Sequence, residues 1–203
     1  MSISTRKIAA KCGSRARGLQ HHINRVEALY QNDLLTLTDI HRIYSGAFIQ
    51  YYTYLERMIE KLFVGLLMGD YVSTYSNVSA LITINSYKVA HDVIKGDRRY
   101  VNWLPIDNTC MRADAFFSSG KPFSLLEGRD KRVLNNLTTL RNAIAHKSSA
   151  SQKSFLNVYV ESRPLPPEQL RPAGYLRGTH RAGQTRLEFL MSDSIRVMNI
   201  LCN

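Results

Sequence analysis

DIHRIYSGAFIQYYTYLERMIEKLFVGLLM, from Asp39 to Met68, is the stretch that decides the fold. Its apolar residues fall at Ile43, Ala47, Phe48, Tyr51, Leu55, Met58, Ile59, Leu62, Phe63 and Leu66, a sustained 3.6-residue period. A strand would need strict alternation. A membrane span would need an unbroken apolar run of roughly 18 to 20 residues, whereas Leu62 to Met68 is closed by Gly69-Asp70. The pattern predicts one helix about 45 Å long, capped by Thr38 or Asp39 and stopped at Gly69, where a left-handed residue is cheap. It forms the spine of an all-α fold.

Shorter elements flank it. Upstream, Ile23, Val26, Leu29 and Tyr30 place a short helix over His21 to Leu29. Downstream, Val78, Leu81, Ile84, Tyr87, His91 and Ile94 recur at three and four, so a helix is expected to run to Lys95 and stop at Gly96. Past Pro105, Asp107 is positioned to cap a helix carrying Met111, Ala115 and Phe116, which Gly120-Lys-Pro122 ends. Asp130 is positioned to cap another, with Val133, Leu134, Leu137, Leu140 and Ile144 on one face, ending in the polar run from Lys147 to Lys153. Phe155 to Val160 alternates and is rich in strand formers, and Thr185 to Leu190 suits it as an antiparallel partner. Between them, Glu161 to Gln184 reads as a long basic loop. Ser192 then caps a last helix bearing Ile195, Met198 and Leu201.

The expectation is a single domain over 1–203. A basic N-terminal segment and short helix occupy 1–38, a helical core 39–147, and a hairpin, basic loop and C-terminal helix 148–203. This is an up-and-down helical bundle with a small β-hairpin insertion before the C-terminal helix.

Composition narrows the function. A hydrophobic share of 44% with 21% charged residues excludes a disordered or collagenous chain. Cys12, Cys110 and Cys202 are odd in number and show no paired metal spacing, so they read as buried free thiols in a reducing cytoplasm. The 27 Lys and Arg against 16 Asp and Glu leave a formal charge of +11, which points to polyanionic partners. The excess is uneven. Arg6, Lys7, Lys11, Arg15, Arg17 and Arg25 precede the first carboxylate, Glu27, and Arg163, Arg171, Arg177, Arg181 and Arg186 face only Glu168.

The chemistry concentrates in Arg141-Asn142-Ala143-Ile144-Ala145-His146. On a helical wheel Leu137, Leu140 and Ile144 share a face, and Arg141 lies at its edge, where its charge needs an anion. His146 is turned about 140° from Arg141, with Asn142 between them. A straight helix is therefore expected not to close this pair around one ligand. Either the helix breaks near Ala145 or a second chain completes the site. At the negative end of the helix dipole His146 suits imidazolium chemistry and proton transfer, while the forked Arg141 guanidinium suits phosphate oxygens. Asn142 can bond sugar or phosphate, or hold the imidazole. Together they fit cleavage of RNA by its own 2'-hydroxyl, with no metal or other cofactor required.

This hexapeptide, preceded by Leu137 and Leu140, closely resembles the R-x4-6-H motif of the HEPN superfamily, in which a polar residue commonly follows the Arg. The helix around Tyr51-Tyr-Thr-Tyr-Leu-Glu56 is similar to the helix that faces the motif with an acid. The layout resembles the ribosome- and RNA-linked defence branch, and the likeness covers roughly Asp39 to Lys147. It implies an all-α, homodimeric, metal-independent endoribonuclease whose motifs meet across the dimer. Arg141, Asn142 and His146 would be catalytic, and Glu56, or Glu60 one turn on, a supporting acid. A toxin or antiphage role, with an antitoxin or defence-complex partner and no membrane, is implied likewise. The toxin subgroup that extends its motif to R-x4-H-x-Y is not matched, because Ser148 stands at the Tyr position. Members that only bind RNA, nucleotides or a partner protein supply the alternative, a non-catalytic module.

Arg171, Arg177, His180 and Arg181 are the expected RNA-backbone contacts in the late basic segment. Tyr51, Tyr52 and Tyr54 could stack on bases but fit a core face better. His91 and Trp103 read as packing residues, and His21-His22 as a polar helix face.

Overall fold

In the computed structural model, which describes residues 3–75, 77–146, 148–161 and 163–203, the protein is an all-α helical bundle, 71% helical, with a small β-hairpin before the C-terminal helix. Its elements are β1 (Ile3–Ser4), α1 (Arg6–Gln31), α2 (Leu37–Leu67), β2 (Tyr71–Val72), α3 (Tyr87–Lys95), α4 (Ile106–Phe116), α5 (Gly128–His146), α6 (Ser149–Phe155), α7 (Pro172–Arg177), β3 (Thr179–Arg181), β4 (Gln184–Thr185) and α8 (Arg186–Cys202). Among the described residues no helix is long and apolar enough to cross a membrane. The chain divides into two compact units, and α1, α2, α5 and α8 each supply residues to both.

The spine helix forms as its period requires. Residues 37–67 are helical, and Gly69 takes a φ of 74° just beyond the end. Its start is set by Thr36 rather than Thr38 or Asp39. The Thr36 hydroxyl accepts from the Asp39 amide at 3.2 Å, and the Asp39 carboxylate accepts from the Thr36 amide at 3.1 Å. This reciprocal arrangement is a capping box.

The first unit comprises residues 1–12, 54–135 and 194–203. Its core gathers around Phe63, whose ring lies 4.9 to 5.8 Å from those of Trp103, Phe116, Phe117 and Phe123. Such pairs add about 0.5–1.5 kcal/mol each beyond the buried area. The chain ends meet here. Buried Thr5 donates to the Cys202 carbonyl at 2.6 Å, satisfying an acceptor that the end of α8 would leave orphaned. β1 pairs in parallel with β2, Ile3 against Tyr71.

The second unit comprises 13–53 and 136–193. Leu19, Ile23 and Val26 of α1, Tyr44, Phe48 and Tyr52 of α2, and Leu137, Leu140 and Ala143 of α5 are buried in it. Phe155, Tyr159 and Tyr175 form a second aromatic group at 5.2 to 5.8 Å. The Tyr51 hydroxyl donates to the Met191 carbonyl.

Several expectations are corrected. The first helix spans 26 residues, because its apolar stripe continues upstream through Ala16, Cys12, Ala9 and Ile8, and the small side chains between Ile8 and Leu19 hide its continuity. The basic residues from Arg6 to Arg25 thus ride on a helix. Residues 78–86 are not helical. Ala80 bridges Phe117, and α3 starts only at Tyr87, in keeping with the β-branched Val78, Ile82, Thr83 and Ile84. Asp107 does not cap α4. Pro105 holds the cap position, and Asn135 accepts from the Ile106 amide at 2.8 Å. Asp130 sits inside α5 and reaches back to the Glu127 amide at 3.3 Å.

The hairpin is real, but its strands are not those expected. It pairs β3 with β4. Phe155 ends α6, and Leu156–Val160 continues as a π-helical turn, because burial of Phe155 and Tyr159 follows a period of four instead of two. Residues 161–184 are not one long loop, since they hold α7 and β3. Leu187, Met191 and Ser194 are buried at helical spacing, so Arg186 onward is α8. Its cap is Thr185, which exchanges bonds with Glu188 at 2.7 and 3.3 Å, and Ser192 lies within the helix. The expected helix end at Lys147 lies outside the described residues.

Candidate functional site

Arg141, Asn142 and His146 meet at the C-terminal end of α5, in the second unit. Leu137, Leu140 and Ala143 anchor that end of the helix in the core. This leaves Arg141 and Asn142 half-buried and His146 exposed. The helix terminus is tied down by α6, where Ser148 caps the first turn and the Gln152 amide donates to the Ala143 carbonyl at 2.9 Å. That bond satisfies one of the last carbonyls of α5, which have no partner within the helix.

One guanidinium nitrogen, Arg141 Nη1, donates to Asn142 Oδ1 at 3.0 Å and reaches His146 Nε2 at 3.3 Å. The wheel expectation is corrected here. The helix neither breaks before His146 nor needs a second chain to bring the two together, because the long Arg side chain spans the turn that the backbone puts between them. A guanidinium has only donors, so the imidazole that makes this contact accepts through Nε2 and carries its proton on Nδ1. Among the described residues, no carboxylate lies within ion-pair distance of Arg141.

Behind the motif stands Tyr52, whose ring faces the Arg141 guanidinium at 5.9 Å and whose hydroxyl shares a hydrogen bond with Thr138 at 3.2 Å. Both Tyr51 and Tyr52 are buried, which makes them core residues; Tyr52 is also a platform for the motif Arg. Glu56, one turn further along α2, is half-buried in the first unit.

The late basic residues do four different things. Arg171 is exposed at the start of α7. Arg177 is committed internally. It grips Glu27 through Nε at 2.9 Å and Nη2 at 3.2 Å, lies 3.6 Å from Glu168, and sits over the Tyr30 ring at 4.6 Å. His180 on β3 stacks on Phe189 with centroids 3.8 Å apart and planes 9° apart. Arg181 is exposed on the hairpin and donates to Gln184 at 2.9 Å.

The Arg177 cluster escaped the sequence reading. Glu27 also accepts from the Tyr44 hydroxyl at 2.8 Å, and Glu168 pairs with His41 Nε2 at 3.0 Å. Burial first, then the Glu27 carboxylate, pushes the Tyr44 phenol up, and the Glu27 bond raises Arg177 further. A lone carboxylate closing an acid-free basic helix was the available signal, but its partner is 150 residues away.

The exposed face of α1 carries Arg6, Lys7, Lys11, Arg15, Arg17 and Arg25 together with His21 and His22. The three cysteines are buried and free, and burial pushes the Cys12 and Cys202 thiols up to about 12. His91 is half-buried and lies 3.9 Å from Glu60, while Trp103 is buried in the Phe63 cluster. Comparison with protein-family models, with curated proteins and with solved structures finds no match to the chain.

Proposed function

We propose that the chain is a HEPN-like, metal-independent endoribonuclease that cleaves RNA by attack of its own 2'-hydroxyl. The observation that carries this reading is the solvent-facing contact of Arg141 with Asn142 and His146, 3.0 and 3.3 Å from one guanidinium nitrogen.

His146 Nε2 takes the proton of the 2'-hydroxyl as that oxygen attacks phosphorus. The bond from phosphorus to the 5'-oxygen breaks, and that oxygen is protonated by the His146 of a second copy or by water. Arg141 turns from His146 to the non-bridging oxygens as charge grows on them. The products are a 2',3'-cyclic phosphate and a 5'-hydroxyl. Asn142 holds the guanidinium in place, and exposed cations of α1 in the same unit, Arg17 and Arg25 among them, hold the RNA backbone. The resemblance adds a homodimer, a supporting role for Glu56, and a defence or toxin setting.

Incubation of wild type and His146→Ala with mixed cellular RNA in EDTA tests this reading. Fragments ending in 2',3'-cyclic phosphate from wild type alone support it. Salt-sensitive RNA binding without fragments replaces it with the non-catalytic module, which the basic face of α1 favours on its own.

A further inference from the structure

Beside the motif, within the same unit, lies an open recess of about 490 Å3. Its walls come from α2, α5, α6 and the start of α7, with Ala143 and Ile144 of the motif itself forming one side. Arg141, Asn142 and His146 are not among its walls, and Ala143 and Ile144 place it on the other side of the same helix end. Its size falls in the range of small-molecule sites.

The lining is chemically sorted. Ile144 and Pro172, with two alanines, give an apolar wall. No carboxylate lines the recess, because Glu168 lies behind His41 and is bonded to its Nε2 at 3.0 Å. The formal charge at the recess is that of Arg171, which is exposed and has no ion pair among the described residues. The ligand should thus join a flat apolar body to an anion. Its polar edge is specified too. The Gln152 amide nitrogen is fixed on the Ala143 carbonyl at 2.9 Å, which leaves Oε1 as an acceptor. His41 Nε2 is bonded to Glu168 at 3.0 Å, so the neutral tautomer with its proton on Nε2 would present Nδ1 as a second acceptor, and the Ser45 hydroxyl can donate or accept. Two acceptors at the edge of an apolar slot select a ring bearing an exocyclic amine.

We propose that this recess is a base-recognition subsite for an amino-bearing base of the bound RNA, adenine, cytosine or guanine as against uracil, with Arg171 on the adjoining phosphate and Gln152 and His41 on the amino edge. It deepens the ribonuclease reading and rests on it for the choice of RNA. Binding in the recess does not depend on cleavage.

Fluorescent 2'-O-methyl ribohexamers of A, C and U, which cannot be cut by 2'-hydroxyl attack, test it by anisotropy titration. Wild type should bind the A and C hexamers about fivefold or more tighter than the U hexamer, the worth of one buried hydrogen bond. Ala173→Phe, which fills the recess, should bring that ratio below about twofold, and Arg171→Ala should weaken all three about threefold or more with the ratio kept. Equal affinities in wild type, or an unchanged ratio in Ala173→Phe, overturn the proposal. Should Ala173→Phe fail to fold, methyl NMR on wild type decides. The Ala143, Ile144 and Ala173 methyls should shift on titration with adenosine 5'-monophosphate and stay still with uridine 5'-monophosphate, and their silence toward both overturns it. Base preference without fragments from unmodified RNA in EDTA sinks the nuclease and keeps the subsite. Fragments without base preference do the reverse.

Discussion

Among the described residues, three arginines of the second unit lie over tyrosine rings, and two of them, Arg177 and Arg141, have opposite fates. Arg177 sits 4.6 Å from the Tyr30 ring and is clasped bidentately by Glu27, with Glu168 at 3.6 Å. Arg141 sits 5.9 Å from the Tyr52 ring, but its polar contacts are the neutral Asn142 and His146. The same residue type on the same kind of platform is neutralised in one place and left with its charge uncompensated in the other. A cation matched by carboxylates has no electrostatic reason to seek an anion. One bonded only to neutral acceptors keeps that reason. The pair also shows why counting basic residues in a segment was a poor guide to an interface. Arg177 is half-buried and ion-paired within its unit, while Arg171 and Arg181, close by in sequence, are exposed.

The largest effect expected from this contrast is on cleavage. Under the proposed function, Arg141→Ala should lower the rate of RNA cleavage by about 10²- to 10³-fold, the typical loss of one transition-state donor, while shifting unfolding stability by less than about 1 kcal/mol. A stability loss as large as the activity loss would turn Arg141 into a fold residue. Arg177→Ala should do the opposite. It leaves Glu27, whose side chain is only 22% exposed, with the Tyr44 hydroxyl in place of a matching cation, and should cost about 1–3 kcal/mol in urea unfolding. If the two variants unfold at the same urea midpoint, the distinction between them collapses.

What the sequence revealed follows the same division. The spine helix was legible because ten apolar residues keep one period across it, and its end at Gly69 was legible because glycine alone takes a positive φ there cheaply. The motif helix was legible from Leu134, Leu137 and Leu140. Arg141, Asn142 and His146 could be picked out since residues within two turns of a helix are neighbours whatever the rest of the fold does. Their direct contact was not, because a wheel describes Cβ directions and ignores the length of an arginine. Alternation misled at Phe155 to Val160, where buried Phe155 and Tyr159 fit either period until the partner Tyr175 is known. The capping boxes at Thr36–Asp39 and Thr185–Glu188 were local signals that could have been read and would have moved both helix starts. The Glu27–Arg177 pair was beyond local reading altogether.

A smaller effect sharpens the Arg141 side of the contrast. Tyr52→Leu keeps an apolar group in the core but removes the ring behind the guanidinium and the bond to Thr138. A cation–π contact of this kind is worth about 0.5–1 kcal/mol, so cleavage should fall about two- to fivefold. An unchanged rate would mean that the ring fills space without positioning the arginine.

The last test works on the Arg177 side and reads only a slope. Tyr44 is fully buried and donates to the same Glu27 oxygen that Arg177 Nε uses, so ionising the phenol would set an anion against a carboxylate in a dry site. Its folded pKa is therefore raised, burial first and Glu27 second, with Arg177 offsetting only part of the rise. A raised pKa means that the folded state holds its proton longer than the unfolded chain. The stability this represents is complete below the unfolded value of about 10 and is lost as pH climbs above it. Tyr44→Phe has no proton to lose there, so its unfolding free energy should decline less steeply than wild type between about pH 10 and 11. The decline should not vanish, because Tyr87, Tyr159 and Tyr175 are raised as well. Equal slopes would show that the phenol is not held against Glu27, and a Glu27 released from Tyr44 would also be a weaker clasp on Arg177.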